Sequence, residues 1–178
     1  MAHLLTALPF VYEPLDQHHD CTRLVTIEPS PRDVGPLRCR VRQVLFSQRP
    51  RYKALSYMWG DETDKLEIFL NDKRFKVTSN LFYALHLLRQ SRVEDAFWID
   101  AICINQDDIQ EKNRQIRIMP HIYFRASNVI VWLGRYSSAQ MVEEVSPLHV
   151  ALRTIADMYI MSDVTNLPHV PMVVPVSC

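Results

Sequence analysis

Glycine is nearly missing, at three residues in a chain of 178. The glycine-dependent turns of a phosphate-cradling GxxxxGK loop or a GxSxG nucleophile elbow are absent, which removes the nucleotide-triphosphatase and serine-hydrolase readings. An excess of either charge is missing too, since 20 basic residues offset 20 acidic ones. No global field then favours nucleic acid or an anionic membrane, so no nucleic acid is expected and partners are recognised locally. The four cysteines, Cys21, Cys39, Cys103 and Cys178, contain no CxxC pair. No basic segment followed by an apolar run opens the chain as a signal peptide does, and a reduced, cytoplasmic protein is the expectation. No apolar run reaches the roughly 18 residues of a membrane span, and neither an internal repeat nor a low-complexity tract is present.

What is there suits one folded core. With 48% apolar and 22% charged residues, a chain of this length buries roughly two thirds of its unfolded surface. Residues 1–20, with Pro9, Pro14 and the polar run Asp16 to Asp20, read as a poorly ordered leader; residues 21–162 read as one α/β domain. Residues 163–178, with Pro168, Pro171 and Pro175, read as an extended tail.

Leu24 to Ile27 reads as a strand. Leu37 to Val44 alternates apolar residues with Arg38, Arg40 and Arg42, which predicts a half-exposed, antiparallel strand near a sheet edge, its arginines solvated. Tyr52 to Trp59 lacks such alternation and reads as a strand covered on both faces. Leu66 to Leu70 and Arg74 to Val77 flank Asn71-Asp72-Lys73, a hairpin without a glycine in its turn. Thr78 or Ser79 caps a helix from about Asn80 to Gln90, with Leu81, Ala84, Leu85 and Leu88 on one face. The strand Ala96 to Asp100 follows. Then Asp107 or Asp108 opens a helix to about Arg125, with Ile109, Ile116, Met119, Ile122, Tyr123 and Ala126 as its stripe. Pro120 costs on the order of 3 kcal/mol inside a helix and predicts a kink or break. Val129 to Leu133 is a third apolar strand, and Ser146-Pro147 opens a last helix bearing Leu148, Leu152, Ile155 and Tyr159.

Three apolar strands separated by helices predict a central, largely parallel sheet with flanking helices, plus an antiparallel N-terminal edge contribution. In such sheets ligands sit beyond the carboxyl ends of the strands. The loops there are Trp59-Gly60-Asp61-Glu62, Asp100 through Asp107, and Gly134-Arg135, so most of the unusual polar residues converge on one rim.

These segments also carry a resemblance. Tyr52 to Asp61, Asn80-Leu81 with Ala84-Leu85, Trp98 to Gln106, then Glu111, Gln115, Met119, Ile122-Tyr123, Ala126 and Val131 to Gly134 form four ordered blocks. They resemble the heterokaryon incompatibility (HET) domain of filamentous fungi over about residues 10 to 136. The resemblance implies a TIR-like or flavodoxin-like α/β fold and a role in non-self recognition, in which the domain triggers growth arrest or cell death when incompatible cells fuse. It implies action through protein partners or self-association. The family has also been compared with Toll/interleukin receptor (TIR) domains, some of which cleave NAD, so assembly-activated processing of NAD or a related nucleotide is the alternative. Many members carry long C-terminal regions, which implies a short or truncated member here.

Each candidate site residue has a structural reading beside its functional one. Asp100 either orients a ligand or accepts N–H groups of its own loop. Asn105 and Gln106 either read a ligand or close the turn. Trp59 either stacks on a ring or packs, while Trp98 and Trp132 read as core. Cys103, without an adjacent histidine, reads as a small buried apolar residue rather than a nucleophile. Glu111 complements the positive end of its helix, and Asp61 belongs to the first rim loop. If the TIR comparison extends to mechanism, Glu143 and Glu144 occupy the place of a glycosidic-cleavage carboxylate, the other reading being a solvated charge pair. Arg135 either meets a phosphate or is solvated. His18-His19-Asp20-Cys21 lacks a second cluster at zinc spacing, so no metal is expected.

Overall fold

The three apolar runs form the parallel centre of the sheet. In the computed structural model, which describes residues 7–16, 20–30, 34–90, 95–134 and 172–175, they are β3 (Lys53–Tyr57), β6 (Ala96–Trp98) and β7 (Asn128–Trp132). β3 lies between the other two and runs parallel to both, in the registers Ala54↔Trp98 and Tyr57↔Trp132. With β1 (Cys21–Ile27), β2 (Arg38–Leu45), β4 (Lys65–Leu70), β5 (Lys73–Thr78) and β8 (Met172–Pro175), the sheet has eight strands in the order β5-β4-β2-β1-β6-β3-β7-β8. The α/β class is as predicted. Consecutive residues such as Leu24 and Val25, Ala54 and Leu55, and Phe97 and Trp98 are all buried. Side chains alternate faces along a strand, so both faces of the central strands are covered.

Position within the sheet differs from the reading of the pattern. β1 and β2 do pair antiparallel, but they sit inside the sheet: β1 also pairs with β6, and β2 with β4 in parallel. The alternating arginines therefore mark a strand solvated on one face rather than an edge. Arg40 pairs with Glu28 and Asp72, and Arg38 with Asp72, across neighbouring strands. The edge is the β4–β5 hairpin. Its turn residues Asn71 and Asp72 take φ of 51° and 62°, the left-handed pair that a two-residue hairpin turn requires and that Asn and Asp tolerate without glycine. The Asn71 amide then bonds both ways to the Val41 backbone, at 2.9 and 3.0 Å.

Residues 7–16 form an extended strap rather than a loose leader. The Phe10 N–H donates to the Arg74 carbonyl and the Arg74 N–H to the Leu8 carbonyl, both at 2.9 Å, while Phe10, Tyr12 and Phe75 meet edge to face. Proline suits an extended strap, since it fixes φ without needing a donor. Within the tail, residues 172–175 pair antiparallel with β7. The helix expected at Ser146 lies outside the described residues.

Helix α1 (Ser79–Gln90) buries Leu81, Ala84, Leu85 and Leu88 as its period predicts, and packs on β1, β4 and β5. Helix α3 (Ile109–Arg125) starts at Asp108, whose carboxylate accepts the Gln110 and Glu111 N–H groups at 3.0 Å. Two expectations for α3 are overturned in part: the break at Pro120, and the first half of the apolar stripe. The helix is continuous through Pro120; that residue and Ile116 are on the solvent side, where water can satisfy the carbonyl the proline leaves without a donor. And Ile109 and Ile116 are outward, 72% and 48% exposed, whereas the buried positions are Glu111, Gln115 and Ile122. A polar stripe faces inward because β1 offers polar partners.

Candidate functional site at the carboxyl ends of the parallel strands

Because β6, β3 and β7 are parallel neighbours, their carboxyl ends emerge together, bringing the Trp59-Gly60 corner, the turn from Asp100 and the Leu133-Gly134 corner to one rim. Asn80, in the first turn of α1, ties two of these corners. Its Nδ2 donates to the Met58 carbonyl at 2.6 Å, and its Oδ1 accepts the Trp132 indole N–H at 2.8 Å. Gly60 and Gly134 turn back at φ of 75° and 90°, where a side chain is strained, and a Cβ on either would lie 3.4 to 3.5 Å from Asn80.

The strand β6 ends at Trp98, two residues earlier than the sequence reading placed its end, and Asp100 opens the single helical turn α2 (Asp100–Cys103). Its carboxylate accepts the Trp59 indole N–H at 2.8 Å and the Ala101 N–H at 2.7 Å, while Gln106 Nε2 donates to its carbonyl at 3.0 Å. Burial pushes the Asp100 carboxyl above its ordinary pKa, partly offset by the Trp59 and Ala101 bonds. The Tyr57 hydroxyl, raised by burial and then by the Asp100 charge, lies close to that carboxylate. That carboxylate is the acceptor the buried hydroxyl faces, and Gln106 Oε1 is buried without a hydrogen-bond partner among the described residues. The Tyr123 hydroxyl donates to the Leu55 carbonyl at 3.2 Å, and burial first, then Asp100, pushes its pKa up to about 12.

The remaining predicted residues divide. Asp61 is exposed and accepts the Thr63 N–H and hydroxyl in a local turn. Asn105 Oδ1 accepts the Asp107 N–H at 3.2 Å, closing the loop before α3. Cys103 is fully buried and its thiol is pushed up to about 12 by burial, so it is not a thiolate nucleophile. Arg135, Glu143 and Glu144 lie outside the described residues.

Glu111 does more than complement the start of its helix. Besides sitting in the first turn of α3, it is buried in a bidentate pair with Arg23 of β1, at 2.5 and 2.9 Å, and its Oε1 also accepts the Asn105 N–H at 2.7 Å. Arg23 further donates to the carbonyls of Cys103 and Glu13, and its guanidinium lies 4.8 Å from the centre of the Tyr12 ring. Tyr12 donates to the Ile102 carbonyl at 2.9 Å. One turn along α3, the Gln115 amide accepts from Thr22 and donates to the Cys21 carbonyl, and Thr22 accepts the Trp98 indole N–H at 3.0 Å. Arg23, Thr22, Gln115, Tyr12 and Asn80 were missed as site residues. Thr22 and Arg23 beside an apolar strand, and Glu111 and Gln115 four apart, were the signals.

Beside this network lies a cavity of about 410 Å³, open between the rim, the hairpin and the strap; its walls include Tyr12, Tyr57, Trp59, Phe75 and Gln106. Among the described residues no group of His, Cys, Asp or Glu side chains is gathered to hold a metal ion, and no helix is long and apolar enough to cross a membrane.

The family model described as "Heterokaryon incompatibility protein (HET)" matches residues 52–166. A curated Neurospora crassa protein, "Heterokaryon incompatibility protein 6, OR allele", is 40% identical over 125 residues, which cover 63% of this chain. The chain spans only 18% of that relative's length. No solved structure matches.

Proposed function

The chain belongs to the heterokaryon incompatibility (HET) family, and from that premise we propose that it works as a signalling module of non-self recognition in filamentous fungi, acting through protein association and leading to growth arrest or cell death. The observation that carries this reading is a rim braced by its own polar groups that turns apolar side chains outward. Asp100, Gln106, Glu111 and Asn80 bond to neighbouring side chains or backbone, whereas Met58 and Leu133, at the adjoining ends of β3 and β7, are 67% and 39% exposed. Outward apolar residues on a stiff frame suit contact with a protein partner or a second copy.

The test is inducible production of the chain in a filamentous fungus, with growth scored beside sedimentation of the purified protein. Met58→Ser with Leu133→Ser should abolish both arrest and association while the melting temperature stays near wild type. Arrest that persists in a strictly monomeric variant would sink the association reading. Nicotinamide release from NAD by the assembled protein, lost in Glu143→Ala with Glu144→Ala, would put the enzymatic alternative in its place.

A further inference from the structure

We infer that the outward face of α3 docks an acidic amphipathic helix of a partner protein, on an element other than the rim and independently of the association read there. The first observation is that α3 is inverted. It buries the polar residues Glu111 and Gln115 beside Ile122 and turns Ile109, Ile116, Pro120 and Phe124 to solvent. At about 100° per residue these four fall within about 80° of one another, and at about 1.5 Å per residue they make a row about 22 Å long. Three of the nine large hydrophobic side chains exposed among the described residues, Ile109, Ile116 and Phe124, lie on this one row. Scattered exposure is ordinary, whereas a continuous apolar row on a rigid helix marks a contact surface.

The second observation is charge. Glu111 is the one carboxylate within α3 and is buried against Arg23, so the ionised groups that the helix itself shows to solvent are all basic. By helical position Arg117 adjoins Phe124 on one edge of the row, with Arg114 further round, and Lys112 adjoins Ile116 on the other. None of the three is in an ion pair among the described residues. The acids of neighbouring segments lie off the row. Asp107 is near Lys112 at the cavity; Asp16, whose carbonyl accepts the Cys21 thiol, and Asp20, which shares a groove with Ile118 and Arg125, stand at the start of β1. An apolar row between basic edges is the complement of a helix whose apolar row lies between acidic ones, as edge charges select partners in coiled coils. A second copy of α3 does not fit, because its arginines would meet arginines. A row about 80° wide has the narrow width of a coiled-coil seam rather than that of the broad face that lies in a bilayer, and a chain of zero net charge supplies no field toward an anionic membrane.

The test is fluorescence anisotropy of the full chain with three synthetic helical peptides: one with a leucine row flanked by glutamates, one with lysine in place of glutamate, and one with serine in place of leucine. Saturable binding of the first is expected, with the other two at least about tenfold weaker, because each lacks one of the two features. Ile116→Ser with Phe124→Ser should weaken the glutamate peptide by at least about tenfold while the melting temperature does not fall, since both side chains already face water. Arg117→Glu should exchange the preference, weakening the glutamate peptide and strengthening the lysine one, which a folding defect does not do. Val34→Ser, exposed before β2, should change nothing. Arrest and association scored with the Met58 and Leu133 variants are separate readouts, so the rim reading and this one fail separately. No saturable binding of any peptide at millimolar concentration would overturn the proposal, as would a lysine peptide that binds the wild-type chain as tightly as the glutamate one, or Arg117→Glu without an exchange of preference. Phosphatidylserine vesicles that bind the chain when no peptide does would put a membrane on this face and overturn it too.

Discussion

Replacing Glu111 by glutamine keeps the size of the side chain and removes its charge. Arg23 is then left 5% exposed with its guanidinium uncompensated, since the carboxylate it loses was itself 1% exposed. Losing one partner of a buried ion pair costs about 3–5 kcal/mol; the glutamine Oε1 can still accept the Asn105 N–H, so the loss falls on Arg23. Against a typical total stability of about 5–15 kcal/mol this is about a fifth or more. At about 2–4 °C per kcal/mol for a chain of this size, the melting temperature should fall by about 6–20 °C. Urea unfolding followed by circular dichroism measures it, with a lower midpoint and an unchanged slope. The double variant Arg23→Met with Glu111→Leu removes both charges and fills the space with apolar atoms, so it should be more stable than either single replacement. A Glu111→Gln loss below about 1 kcal/mol, or a double variant as unstable as the sum of the singles, would refute the account of this pair.

Three further outcomes follow from the rim and the core. Asn80→Ala removes the hydrogen bonds to the Trp132 indole N–H and the Met58 carbonyl and should cost about 1–3 kcal/mol by thermal melting; Asn80→Asp, which keeps the acceptor for Trp132, should cost less. Because burial raises the folded pKa of Asp100 above its ordinary 3.8, the protonated form suits the fold. Its stabilising contribution is therefore complete below that ordinary value and is lost as pH rises through the raised one. The stability of wild type relative to Asp100→Asn should fall across that window, and a flat or rising difference would contradict the burial. Cys39 and Cys103, each raised from 9.0 to about 12 by burial, hold about a thousandfold less thiolate at pH 8 than unfolded cysteine, since three pKa units are three decades. Iodoacetamide followed by peptide mass mapping should label both readily in urea and scarcely in the native chain.

Local pattern made several elements legible. Leu81, Leu85 and Leu88 announce α1 because a helix repeats its buried face every three to four residues, and Asn71-Asp72 announces the hairpin because those two residues tolerate positive φ. Trp59-Gly60 and Gly134 mark strand ends because each glycine supports a turn at positive φ. The misreadings have one kind of cause. Ile109 and Ile116 have the spacing of a core stripe, yet spacing does not say which side of α3 meets the sheet. That side was chosen by Arg23, Thr22 and the Cys21 carbonyl, which supply partners for Glu111 and Gln115. Likewise, Pro9 and Pro14 look like signs of disorder until the backbone of Arg74 is found holding the strap.

Chain order and composition by themselves determined the α/β class, the three parallel strands whose ends share a rim, and membership in the HET family, because apolar runs, turn residues and ordered motifs are properties of neighbours along the chain. Only the tertiary structure decided which polar groups are buried together. Arg23 and Glu111 are 88 positions apart, Trp59 and Asp100 are 41 apart, and Asn80 and Trp132 are 52 apart. A buried charge or indole N–H is stable only opposite its partner, and that pairing exists once the sheet has brought distant segments within hydrogen-bonding distance.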